Sequence, residues 1–206
     1  MDETFTTLRR FIRPREAVEQ CELCSVGLAP EHGHLFELQK REIRCACDAC
    51  AFLFSNSADG RFLRIPRDAS YLTDFQISDQ EWNGLYLPIQ LAFLFWSTSE
   101  NRVVAMYPRP AGAMESLLRL DAWNDIAEEN PVLKTMRPDV EALLVNRTGD
   151  RREYYIAPSD ACYKLSGLIR MNWRGLSGGS EVWSEIDAFF ASLKARSIVR
   201  KEVAVA

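Results

Sequence analysis

The chain has 206 residues, a formal net charge of -4, 47% hydrophobic and 26% charged residues. That is the balance of a soluble globular protein with enough apolar material for a sizeable core, and the acidic charge argues against a general nucleic-acid binder. The N-terminus, M-D-E-T-F-T-T-L-R-R-F, lacks the basic and apolar regions of a secretory signal. The longest apolar run, Leu85 to Trp96, is broken by Pro88 and Gln90 and falls short of the roughly 20 residues of a membrane span. A cytoplasmic protein without a membrane span is therefore expected. In a reducing compartment paired cysteines read as metal ligands rather than disulfides.

Phe5, Leu8, Phe11 and Ile12 recur at helical spacing, and Pro14 stops the run. Arg9, Arg10, Arg13 and Arg15 are followed at once by Glu16, Glu19 and Glu22, which reads as a solvated face. C-E-L-C then supplies Cys21 and Cys24, and a loop passes Gly27, Pro30 and Gly33. Leu35 to Leu38 and Glu42 to Cys45 read as two short strands around a polar turn. C-A-C-D-A-C supplies Cys45, Cys47 and Cys50 and runs into A-F-L-F, a first helical turn. Knuckle, hairpin and cysteines at a helix start is the layout of a treble-clef zinc site, where free N–H groups favour thiolate. S-N-S-A-D-G marks a module boundary. The expected organisation is an N-terminal helix and cysteine-rich module over residues 1–56 and a second domain over residues 57–206.

In that second part, Arg61 to Ile65 suggests a strand, and S-D-Q-E at 78 to 81 matches a capping box. Leu91 to Thr98 and Arg102 to Tyr107 form a hairpin pair that Pro108 and Pro110 end. Leu120 to Glu129 reads as a helix. Val140 to Asn146 and Arg152 to Ile156 flank R-T-G-D as a second hairpin. Pro158-Ser159-Asp160 opens a helix through Arg170, and a last helix near Ser180 carries Trp183, Ile186, Phe190 and Leu193 on one face. Hairpins mixed with separate helices predict an α+β fold with a mainly antiparallel sheet. Most of Trp82, Trp96, Trp123, Trp173 and Trp183 should be core, with one or two at a partner surface, and Cys162 a buried small apolar residue.

The chemistry-bearing constellation is the cysteine group. Two C-x-x-C pairs, Cys21/Cys24 and Cys47/Cys50, give four thiolates that close a tetrahedral zinc shell. Cys45 competes with Cys47, and His32 or His34 could replace one thiolate. Iron is the alternative metal. Rubredoxin-type knuckles usually place Gly after the second Cys, where positive φ lets N–H groups reach sulfur; Ser25 and Ala51 stand there. A closed shell folds chain rather than turning over substrate, so a non-catalytic accessory role is expected. The turn from Ser177 to Ser180 offers a weaker possibility, an anion cradle at a helix start in an enzyme, though it lacks the P-loop lysine.

The strings C-E-L-C, E-H-G-H-L and C-A-C-D-A-C, with R-V-V-A-M-Y-P-R-P-A-G-A-M-E-S, P-D-V-E-A-L-L-V-N-R, D-A-C-Y-K-L-S-G-L-I-R and W-R-G-L-S-G-G-S-E-V-W, resemble an uncharacterised bacterial family. Its genes tend to accompany those of nickel–iron hydrogenases and their maturation factors. The resemblance implies context, an accessory, assembly or electron-transfer role through a protein partner, and transfers no catalytic residue.

Overall fold

A computed structural model describes residues 18–116, 123–175 and 178–200. The predicted N-terminal helix lies outside the described residues. The fold is α+β with a mainly antiparallel sheet, as the sequence predicts.

The chain first forms a small three-stranded sheet. Strands β1 (Gly33–Glu37) and β2 (Glu42–Ala46) make a hairpin, and helix α1 (Asp48–Ser55) follows directly. Arg41 takes a left-handed φ of 55° in the turn. Strand β3 (Phe62–Arg64) pairs with β1 on its other side. The sheet of the cysteine module thus takes its third strand from beyond residue 56. Its core is Leu35, Ala46, Ala51 and Phe62, too few residues to hold a fold by burial alone. Glu37, almost fully buried, accepts from Arg44 and Arg61, and Arg44 reaches on to Glu22 at 2.8 Å. This network ties the first cysteine pair to the hairpin.

The second sheet has seven strands in the order β10-β4-β9-β8-β5-β6-β7. They are β4 (Ser70–Leu72), β5 (Leu91–Ser97), β6 (Arg102–Arg109), β7 (Gly112–Glu115), β8 (Glu141–Asn146), β9 (Glu153–Pro158) and β10 (Ile198–Arg200). Only β10 on β4 is parallel; the other pairs are antiparallel. Strand period sends Leu91, Phe93 and Phe95 to one face and Ala92 and Leu94 to the other, and both faces are buried. The first face packs against α4 (Ser159–Asn172) and α5 (Gly179–Arg196) through Leu165, Ile169, Ile186 and Phe190. The second is covered by α2 (Asp79–Gly84), α3 (Trp123–Glu129) and a 3-10 turn at Pro131–Thr135. Ser78 and Glu81 make the predicted capping box reciprocally at α2. Arg147, buried under Trp82, donates to Ile77 O and to Asp79 and holds this corner.

Two expectations are corrected. Pro108 does not end its strand: β6 runs on to Arg109 and pairs with β7, which the sequence reading missed. The β5–β6 pairing has already stopped at Met106, so Pro108 sits where no β5 carbonyl needs its missing N–H. The tryptophans divide as expected: Trp82 is fully buried and Trp123 and Trp173 pack half-buried against the core, while Trp96 and Trp183 are exposed. Trp183 therefore leaves the apolar face assigned to it, where Val182 stands instead. Cys162 is fully buried, as expected.

The two sheets meet. Phe36 and Ile65 pack on Val140, Arg41 pairs with Glu100 at 2.6 Å, and His34 bonds Asp160 of α4 at 2.8 Å.

Candidate metal centre

The first cysteine pair stands on a knuckle. Ser25 N–H donates to Cys21 O at 2.7 Å and Cys21 N–H to Val26 O at 2.8 Å, closing a tight turn. Ser25 takes φ 61° there without being glycine. Glu22 N–H donates to Cys45 O at 2.9 Å, which hangs the knuckle on β2. The second pair is built differently. Cys47 is the N-cap of α1, its sulfur accepting from Cys50 N–H at 3.4 Å, and Cys50 lies in the first helical turn.

These elements bring the sulfurs of Cys21, Cys24, Cys47 and Cys50 within 4.8 Å of one another. Cys24 and Cys47 Sγ are 3.7 Å apart. A tetrahedral shell with bonds of about 2.3 Å has sulfur–sulfur edges of about 3.8 Å; the Cys24–Cys47 edge already matches it, and small side-chain rotations bring in the rest. Cys21 and Cys50 are buried and Cys24 is exposed. Burial alone would push the Cys21 thiol up, but N–H groups of Cys47, Leu23 and Cys24 outweigh it and bring it down to about 6. Burial and the neighbouring thiols push Cys50 up to about 12. Backbone donors thus favour the thiolate at Cys21, while burial and neighbouring thiols oppose it at Cys50.

Cys45, His32 and His34 are not in this group. They gather as a second cluster, one ring nitrogen of each histidine and Cys45 Sγ lying within 4.8 Å of one another. The hairpin register explains it: His34 is directly opposite Cys45, which puts their Cβ atoms about 5 Å apart. His32 precedes His34 by two and shares its face. The sequence reading placed the two strands but treated these residues as substitutes within one shell. The hairpin register was the signal that separates them.

The other candidates are outside both clusters. Of the turn from Ser177 to Ser180, Ser177 is beyond the described residues. Gly178 has φ 88°, and a Cβ there would lie 2.8 Å from Val182 Cγ1 and 3.2 Å from the Trp173 ring. Close packing accounts for that glycine without an anion. Cys162 is sealed in the core, where burial pushes its thiol up. An apolar cleft of about 860 Å³ opens between Ile89, Tyr107, Trp173 and Trp183; it holds no cluster of titratable groups beyond Arg109, Arg151 and Asp187, and the last two pair at 2.9 Å. No helix among the described residues is long and apolar enough to cross a membrane.

A protein-family model described as a family of unknown function (DUF5947) matches residues 20–197, and the chain belongs to that family. No curated protein matches it, and no solved structure does.

Proposed function

We propose that Cys21, Cys24, Cys47 and Cys50 hold a structural zinc ion, and that the protein is a non-catalytic accessory factor acting through protein–protein contact. The supporting observation is the closed four-sulfur cluster joining a knuckle to a helix N-terminus. Four protein ligands leave no coordination position for substrate. Zinc is favoured over iron because the second pair is a helical turn, with Ala51 inside α1, and not a second knuckle of the rubredoxin kind. Bound there, the ion would supply cross-linking of the module and charge compensation for the thiolates. The residues do the rest: Cys21 is held ready by backbone N–H groups, and Cys47 caps the helix that carries Cys50.

A contact role is supported by α1 itself. Phe52 and Leu53, adjacent on the helix that the metal would anchor, are 68% and 65% exposed. A bulky apolar pair on a rigid support suits a partner surface. The partner class, a nickel–iron hydrogenase or its maturation factors, rests on the sequence resemblance alone, as do the two-unit organisation of residues 1–56 and 57–206 and the cytoplasmic location on the sequence reading alone. Nucleic acid is not an expected partner.

Elemental analysis and the visible spectrum of untagged protein test the metal. Zinc with a colourless protein supports the reading; iron in the four-cysteine site with strong visible absorption overturns it in favour of an electron carrier. Phe52→Ser with Leu53→Ser tests contact. The double variant should keep its metal and lose co-purification with hydrogenase subunits; unchanged co-purification removes α1 from the interface, and no co-purification of the wild type removes the hydrogenase.

A further inference from the structure

We propose that His32, His34 and Cys45 form a second metal site, separate from the four-cysteine centre, that takes a zinc-class divalent cation and leaves one coordination position open. Two soft-to-borderline imidazole nitrogens and one thiolate are donors for such an ion and not for calcium or magnesium. Three protein ligands with a free fourth position is the arrangement of open zinc sites, the fourth place going to water or an exogenous donor.

Both histidines are held as metal-ligating histidines are held. His34 Nδ1 donates to Asp160 Oδ2 at 2.8 Å, and His32 Nδ1 donates to Ala29 O at 2.9 Å with Glu19 Oε2 at 3.5 Å. A neutral imidazole that donates through Nδ1 carries its lone pair on Nε2. Both rings are therefore fixed in one tautomer with Nε2 free, the outer-shell arrangement that orients a ligand and raises its basicity. The His32 side chain is only 7% exposed, and its Nε2 is buried without any hydrogen-bond partner. An acceptor nitrogen left unpaired in a buried place is costly, and a cation removes that cost. The rings lie 4.7 Å apart and tilted by 53°, so they are neighbours without being stacked. A tetrahedral corner needs these donors about 3.4–3.6 Å apart; all three already lie within 4.8 Å, so modest side-chain rotations close the site. Glu22 accepts from Cys45 N–H at 2.9 Å and steadies the strand that carries the sulfur.

The positioning residue Asp160 comes from α4, at the start of the helix that covers the large sheet. The second site is therefore assembled by both parts of the chain, whereas every ligand of the four-cysteine centre lies in the first.

The test uses the full chain, stripped of metal and titrated with Zn²⁺ and, separately, with Co²⁺. Two ions per chain are expected, with X-ray absorption showing imidazole nitrogen as well as sulfur around zinc. Cys45→Ser and His32→Ala should each bind one ion, with a cobalt spectrum of four thiolates. Asp160→Ala should weaken the second ion by about ten- to a hundredfold and leave the first unchanged, and Asp160→Asn, which still accepts from Nδ1, should restore part of the loss. A wild-type chain that binds one ion with sulfur ligands alone overturns the proposal, whatever the variants do. So does a folded Cys45→Ser chain that keeps two ions.

Discussion

The two sheets of this protein are stabilised by different means. The seven-stranded sheet is buried on both faces, with Phe93, Leu144 and Tyr155 packed on one side and Leu94, Leu143 and Trp82 on the other. The three-stranded sheet has a core of Leu35, Ala46, Ala51 and Phe62, supplemented by the Glu37 ion-pair network and four convergent sulfurs. A small module gathers a few kcal/mol from such a core, against about 10–16 kcal/mol of apparent binding free energy from a structural zinc. One part of the chain can fold on water exclusion; on the proposed reading, the other depends on a metal ion it must find.

The largest effect should come from removing that ligand. Chelation at neutral pH, or Cys21→Ser, Cys24→Ser, Cys47→Ser or Cys50→Ser, should abolish hydrogen-exchange protection across residues 21–64 while α4, α5 and the large sheet keep theirs. Loss of protection throughout would show that the contact through Phe36, Ile65 and Val140 makes one cooperative unit. The reverse experiment is a core truncation. Leu144→Ala, at a fully buried position, should cost about 2–5 kcal/mol and lower the main thermal transition, with the metal content of the folded protein unchanged. A change in metal content would break the division. Gly178→Ala meets a positive φ and a 2.8 Å contact at once; a loss of about 1–3 kcal/mol in the same transition is expected. A loss of anion binding without a change in stability would revive the cradle reading of that turn. The smallest effect is Ser78→Ala, which removes one half of the α2 capping box. It should cost about 1 kcal/mol, a shift of about 2–4 °C in a chain of this size, with no effect on the cysteine module.

What was legible in the sequence follows the same line. Hairpins with polar turns, the capping box and the paired cysteines are local signals, each carried within a few residues, and all of those elements form. The missed strands are short or depend on distant neighbours. Ser70–Leu72 and Ile198–Arg200 have three residues each and exist because they pair with each other and because Ser70–Leu72 pairs with β9. Pro108 misled because proline stops a strand only where a neighbouring strand faces its missing N–H, and β5 has already ended there. Trp183 misled because helical spacing alone does not say which neighbouring residue takes the buried edge. The cysteine spacing pointed to four sulfurs, while the histidines needed the hairpin register and then a partner 126 residues away.

That separation orders events in time. During synthesis the four-cysteine group is complete in sequence at Cys50, and β3, the last strand of the small sheet, is complete at Arg64, while the large sheet is still unmade. His34 must wait for Asp160, and α4 has no surface to pack on until β5, β6, β8 and β9 are assembled. At chain growth of about 5–20 residues per second, the interval from Cys50 to Asp160 is roughly 5–20 seconds. The hydrogen bond between His34 and Asp160 is therefore a late mark of completion, made when the second half of the protein closes on the first.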